Sequence, residues 1–287
     1  MRLRLLPALA ASLLLTACAN APTHPAAASE PAANDDLNAV AWAQTAIEHD
    51  LVYLEIYRDA QSRLLDALRH PDWDALTRED RVAPAAGLPP AVVLDIDETV
   101  LDNSPYQARL VRSGGSYDET SWAAWCREER ARALPGALAF TRFAAAHGIA
   151  VIYLSNRAKD LDAVTLANLR QAGFPVSGPD AFLGLGVVVP GCKQVGDGKG
   201  CRRQLVSRKY RVLMQFGDQL GDFVDVPVNT LAGRKQAIAG YMGWIGTRWF
   251  VLPNPAYGSW EPALFNNDWS VPAAEQRRQK LDVLHYN

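Results

Sequence analysis

Ala91-Val92-Val93-Leu94-Asp95-Ile96-Asp97-Glu98-Thr99-Val100-Leu101-Asp102-Asn103-Ser104-Pro105-Tyr106 is a short apolar run that stops abruptly at two aspartates one residue apart. Apolar residues on both faces of a strand suit a parallel sheet covered on both sides, where ligands sit beyond the carboxyl ends of the strands. Asp95 and Asp97 stand at that end of the predicted first strand. Two carboxylates so close stay ionised only if a cation or buried donors compensate them. That predicts a hard divalent metal such as Mg2+, its shell completed by water and a substrate phosphate.

The pattern returns downstream. Arg211–Phe216 reads as a later strand and ends in Gly217-Asp218-Gln219-Leu220-Gly221-Asp222-Phe223. Gly217 permits a tight turn, Asp218 can complete the metal shell begun by Asp95, and Asp222 can ligate through water or orient a lysine. Ile149–Leu154 reads as the second strand, ending in Ser155-Asn156-Arg157, where a hydroxyl and backbone N–H groups can bind phosphate oxygens. Lys199 lies in the loop Cys192–Arg203 at the mouth of a helix running to about Lys209, with Lys193 as its competitor for a phosphate-neutralising role. A strand is expected between Ala181 and Val189, and the last one over Arg248–Leu252.

Helical spacing from Leu37 to Leu68 predicts two helices or one bent one, capped by Asp35 or Asp36 and ended by His70-Pro71. Its Trp42, Tyr53 and Tyr57 are read as core in preference to a pocket. Residues 104–133, with Tyr106, Tyr117, Trp122 and Trp125, form a small helical insertion expected over the strand ends as part of a lid. Helices follow from Pro135-Gly136 to Gly148 and over Leu161–Leu169, and an amphipathic helix starts at Pro272.

Arg2 and Arg4 precede an apolar run from Leu5 to Leu15, too short for an ordinary membrane-spanning helix. Its ending, Leu15-Thr16-Ala17-Cys18, resembles the lipobox of bacterial lipoproteins, which implies cleavage before Cys18 and a lipid on it. Ala19 in place of Asp implies the outer membrane if the host is a Gram-negative bacterium. The expected organisation is a signal peptide over 1–17, a flexible tether over 18–35 and one domain over 36–287. Export permits a disulfide among Cys126, Cys192 and Cys201. The loop between Cys192 and Cys201, with Gly196, Gly198 and Gly200, suits closure, although all three pairings stay open. A formal charge of -2 without a basic run disfavours a nucleic-acid polymer as partner.

Taken together, these stretches resemble a class C bacterial acid phosphatase of the haloacid dehalogenase superfamily, from roughly the mid-30s to near the C-terminus. The most specific elements are Val93–Tyr106 and Gly217–Phe223, supported by Leu134-Pro135-Gly136-Ala137, Leu154-Ser155-Asn156-Arg157 and Leu252–Glu261. Gln219 departs from the asparagine expected there, and the Lys199 loop varies in length within the family. The resemblance implies an α/β fold, a Rossmannoid parallel sheet over about 88–255 flanked by helices. A small helical cap would come from about 36–80 and 104–133 with C-terminal contributions.

It also implies that Asp95 attacks phosphorus and that Asp97 protonates the leaving alcohol and then activates water. Mg2+ would be held by an Asp95 carboxylate oxygen, the Asp97 backbone carbonyl and Asp218, with Asp222 behind them. Thr99, Ser155, Asn156 and Lys199 would position the phosphoryl group, and Trp122 and Tyr257 would sandwich a flat leaving group. The implied substrates are nucleoside 5'-monophosphates, nicotinamide mononucleotide and aryl phosphates, and a homodimer is left open. The competing readings are a narrow sugar or phospholipid phosphatase and a non-catalytic, surface-anchored binding or storage protein. Loss of Asp95 or Asp97 would mark the latter, and both are present.

Overall fold

The computed structural model describes residues 34–286, so the signal reading over 1–17, Cys18 and most of the 18–35 tether lie outside the described residues. In chain order the elements begin with α1 (Leu37–Thr45), α2 (Ile47–Arg69), β1 (Pro90–Leu94), β2 (Leu101–Asp102), α3 (Ser104–Ser113) and α4 (Glu119–Arg127). Next come β3 (Arg132–Ala133), α5 (Ala137–Ala146), β4 (Ala150–Ala158), α6 (Asp162–Gln171) and β5 (Phe182–Leu185). The series closes with α7 (Gly200–Ser207), β6 (Arg211–Gly217), α8 (Leu231–Ile238), β7 (Trp249–Val251) and α9 (Ala273–Asp282).

Five strands form a parallel sheet in the order β5-β4-β1-β6-β7. β1 is central, and Leu94 lies opposite Tyr153 of β4 on one side and Phe216 of β6 on the other. The chain builds outward from β1 to β4 and β5, then returns to add β6 and β7, so the strand order reverses beside β1. Such a reversal leaves a crevice beyond the carboxyl ends of the strands. Successive side chains of β1 serve opposite faces. Val92 and Leu94 pack with Tyr53, Tyr57, Phe140 and Phe216, whereas Ala91 and Val93 pack with Ala75, Val206, Phe223 and Trp249. Burial on both faces explains why β1 has no polar alternation.

The first helical run is two helices, broken at Ala46 by extended backbone. α2 ends before His70-Pro71, where the Arg211 guanidinium donates to the carbonyls of Ala67, Leu68, His70 and Trp73. One buried cation thus satisfies carbonyls that a helix end leaves without intrahelical partners. Tyr53 and Tyr57 are buried in the core, as their helical spacing suggested. Their hydroxyls donate to the carbonyls of Glu98 and Thr99 respectively, at 2.6 and 2.7 Å, pinning the loop after β1. Gly136 precedes α5 with φ +84, and a Cβ there would lie 2.8 Å from Tyr57 Cβ, so both conformation and space require glycine.

Three expectations change. β4 does not stop at Leu154 but runs through Ser155, Asn156 and Arg157 to Ala158, its pairing with β5 becoming irregular after Leu154. Strand structure persists through these polar residues because Ser155 and Arg157 find buried partners. The last strand contracts to Trp249–Val251. The helix after Pro272 forms, but none of its residues is buried and Leu281 is exposed. It is tied on by charges, Lys280 to Glu261 and Arg277 to Asp35. The insertion forms α3 and α4, the latter capped by the Asp118 carboxylate. Among the described residues no helix is long and apolar enough to cross a membrane.

Candidate active site

The Asp95 N–H donates to Phe216 O at 2.9 Å, so pairing between β1 and β6 continues into the first aspartate and fixes its backbone at the sheet edge. The chain then turns sharply, with the N–H groups of Val100 and Leu101 both donating to Ile96 O. Glu98 sits at the turn with φ +53, a conformation rare outside glycine and held here by its tyrosine and Asn103 contacts. Thr99 Oγ1 lies 3.5 Å from Asp95 Oδ2. At the end of β6, a Cβ on Gly217 would fall 2.1 Å from Asp222 Oδ2. Glycine therefore lets Asp222 fold back over the strand end, where its carboxylate accepts from the Gln219 N–H at 2.8 Å.

These two strand ends bring carboxylate oxygens of Asp95, Asp218 and Asp222 within 4.8 Å of one another. Lys199 reaches them from 104 residues beyond Asp95 and donates to both Asp95 and Asp222. Lys193 is exposed and takes no such place. Burial pushes the Asp95 carboxyl well above the usual carboxylate range, a rise that Lys199 opposes and Asp222, Asp218 and Asp97 reinforce. Burial, with Asp222 beside it, pushes Asp218 up to about 7. One ammonium therefore does not balance the cluster. An all-oxygen donor set short of positive charge fits a hard divalent cation, with Asp95 and Asp218 free to offer oxygens to it.

Asp97 turns away from this cluster. Its Oδ1 accepts from Asn103 Nδ2 at 2.8 Å and from Arg157 Nη2 at 2.8 Å, and its Oδ2 from Ser155 Oγ at 3.2 Å. The exposed Asn156 accepts from Arg202 Nη2 at 2.6 Å. Arg202 also donates to the carbonyls of Ser155, Asp197 and Gly198, tying the end of β4 to the Lys199 loop. That loop is closed by a disulfide between Cys192 and Cys201, leaving Cys126 reduced and buried. Arg203, fully buried, bridges Asp80, Asp225 and Gly221 O and so holds the start of α7 against the Asp222 turn.

Trp122 is 9% exposed, with Arg157 5.5 Å from its ring centroid and Tyr106 packed edge-on. Tyr257 is half-buried and lines a pocket together with Glu98, Asp102, Gln107, Pro253 and Asn254. Trp122 does not line that pocket, so the structure does not set the two aromatics face to face across it. Gln219 links the regions, donating to Asp218 Oδ2 at 2.7 Å and to Tyr257 O at 3.3 Å. Sequence reading assigned no role to Arg157, Arg202, Arg203 or Asn103. The one available signal was a charged residue, Arg157, three positions beyond the end of an apolar strand, since a buried cation requires a partner.

The sheet, with acids gathered around a lysine where its strand order reverses, defines a Rossmann-like α/β protein with an acidic centre whose oxygens could hold a metal ion. The family described as HAD superfamily, subfamily IIIB (Acid phosphatase), matches residues 18–260, and the chain belongs to this family. The solved class C acid phosphatase from Bacillus anthracis with tungstate bound superposes with a TM-score of 0.74 at 33% identity, covering 88% of this chain and 97% of that one. A second structure of the Bacillus anthracis enzyme matches to the same extent. Among curated proteins, a Stem 31 kDa glycoprotein of Glycine max is 28% identical over 165 residues. A Stem 28 kDa glycoprotein of Glycine max is 29% identical over 177 residues. The chain spans about 58% of the length of these two curated relatives.

Proposed function

We propose that the chain hydrolyses small phosphomonoesters, with Asp95 as nucleophile, Asp97 as acid and base, and Mg2+ as cofactor. The observation that carries this reading is the meeting of Asp95, Asp218, Asp222 and Lys199 at the carboxyl ends of β1 and β6. In the first step an Asp95 oxygen forms a bond to phosphorus while the bond from phosphorus to the leaving oxygen breaks, and the Asp97 proton passes to that oxygen. In the second, Asp97 as carboxylate takes a proton from water, whose oxygen attacks the aspartyl-phosphate and frees Asp95 and phosphate. Lys199 keeps Asp95 oriented and places positive charge beside the equatorial oxygens. A bound divalent ion supplies further neutralisation of phosphoryl charge. Thr99, Ser155 and Asn156 offer hydrogen bonds to the phosphoryl group, and Asp222 holds Lys199 in place.

Nucleoside 5'-monophosphates, nicotinamide mononucleotide and aryl phosphates suit the site through Tyr257, which lines the pocket, because stacking on a flat leaving group tolerates many ring systems. The helices over 104–133 together with α1 serve as the cap, while α2 packs on the sheet through Tyr53 and Tyr57. The lipobox resemblance supports anchoring through Cys18 at the cell envelope, in the outer membrane of a Gram-negative host.

The test is phosphate release by the form lacking residues 1–18, on an aryl phosphate and a nucleoside monophosphate panel, with Mg2+ or EDTA. Turnover with Mg2+ is expected, lost with EDTA and reduced by about 10⁴-fold or more in Asp95→Asn. Equal turnover by Asp95→Asn would end the mechanism. No turnover by folded protein across the panel would favour a narrow-specificity enzyme or a binding protein.

A further inference from the structure

Arg157 is 1% exposed and lies at the end of a strand, 60 residues from the aspartate it serves. Its Nε and Nη2 donate to Asp97 Oδ1 at 3.0 and 2.8 Å, and Nε also lies 3.3 Å from Oδ2. Asn103 and Ser155 add a donor to each oxygen. The donors are themselves fixed. Arg157 Nη1 donates to Thr165 Oγ1 at 3.4 Å, Trp125 Nε1 donates to Asn103 Oδ1 at 2.8 Å, and the Trp122 ring lies beside the guanidinium. Trp122 and Trp125 belong to α4, Thr165 to α6 and Ser155 to β4. Asp97 is therefore held by donors from β4 and by Asn103, which α4 and α6 brace in turn, whereas it lies outside the cluster formed by Asp95, Asp218 and Asp222.

A surface ion pair would not require this build, because exposed pairs are mobile and weakly stabilising. Burying a guanidinium is costly and is offset here only by Asp97 and its neighbours. We infer that Arg157, with Asn103, is a positioning residue for the reaction: it fixes the orientation of the Asp97 carboxyl relative to the leaving oxygen. This rests on the acid–base reading of Asp97 given above. When Asp97 gives its proton to the leaving oxygen it becomes a carboxylate, and Arg157 and Asn103 already surround the place where that charge appears. No donor need move during the step, which is the condition under which such groups lower a barrier.

The experiment compares kcat/KM for wild type, Arg157→Gln, Arg157→Lys, Asn103→Ala, Asp97→Asn and the double variant Asp97→Asn with Arg157→Gln. The substrates are 4-nitrophenyl phosphate, phenyl phosphate and an alkyl phosphate, whose leaving groups need progressively more protonation. Circular dichroism and thermal unfolding select the variants that fold. If Arg157→Gln does not, Arg157→Lys and Asn103→Ala carry the comparison with their own Asp97→Asn double variants. We expect Arg157→Gln to lose about tenfold or more on the alkyl phosphate and less than about threefold on 4-nitrophenyl phosphate, the same ordering as Asp97→Asn. The double variant should lose no more than Asp97→Asn alone, because both changes remove one function. Equal loss on all substrates, or losses that multiply in the double variant, would overturn the positioning role while leaving Asp97 as acid and base. Wild-type behaviour of Asp97→Asn would overturn both.

Discussion

Charge decides the site at the scale of single residues. Asp95 and Asp222 share Lys199, while Asp218 is held by the amides of Gln219 and Asn254 at 2.7 and 2.8 Å. The two amides leave Asp218 without a cationic partner of its own, which is why burial dominates it. Gln219 stands where an asparagine was expected, and its extra methylene is used: Nε2 reaches Asp218 and Tyr257 O, and Oε1 accepts from the Ser259 N–H at 3.0 Å. The loop bearing Tyr257 is thereby registered on the acid cluster. If Tyr257 stacks on the leaving group, Tyr257→Ala should raise KM for nucleoside monophosphates about five- to tenfold and leave kcat within about twofold. An alkyl phosphate should show no KM change. Steady-state kinetics on the two substrate types checks this, and an unchanged substrate ranking would remove the stacking role.

The loop and helix carrying Lys199 illustrate how an element is placed. A residue on an irregular segment reaches a buried acid cluster only if the segment is held at both ends. The disulfide between Cys192 and Cys201 closes nine residues of sequence separation, Arg202 ties the segment to β4, and Arg203 ties α7 to the Asp222 turn. A loop of this size closed by a disulfide gains about 2–3 kcal/mol from restricting the unfolded chain. Replacing both cysteines, Cys192→Ser with Cys201→Ser, should lower the unfolding free energy by that amount in urea titration under oxidising conditions. No shift in the midpoint would mean that the segment is held by the arginines alone. β1 and β6 were legible as strands because each carries an unbroken apolar run, Ala91–Leu94 in one and Val212–Met214 in the other. The continuation of β4 was not, because Ser155, Asn156 and Arg157 look like a loop until their partners on other elements are known.

For the whole molecule, α9 is the segment least committed to the core. Its composition is too polar to form an apolar stripe, and it is attached by ion pairs at the surface. Ending the chain before Ala273 should therefore lower Tm by no more than about 4 °C in thermal unfolding. A larger drop would show that α9 does more than its contacts indicate. At the other end, lipid attachment would set where the molecule works. The full chain should partition into detergent and take up labelled fatty acid, and Cys18→Ser should do neither while keeping its turnover. Uptake by the Cys18→Ser protein would remove the anchor reading.

The sequence by itself determined the parallel α/β class, the first strand ending at Asp95 and the acid-bearing end of β6, while it left the first helical run as two helices or one bent one. These are local properties: hydrophobic run length, glycine at a sharp turn and paired acids after a strand can be read within a few neighbouring residues. Only the tertiary structure decided which lysine reaches Asp95, which cysteines pair, and that Asp97 is held by Arg157 and Asn103 away from the other three acids. Sequence favoured Lys199 over Lys193 and a loop closed by Cys192 and Cys201 without settling either, and it gave no sign of which group Arg157 pairs with. A buried charge takes the partner that folding delivers to it, and that delivery depends on strand order and register.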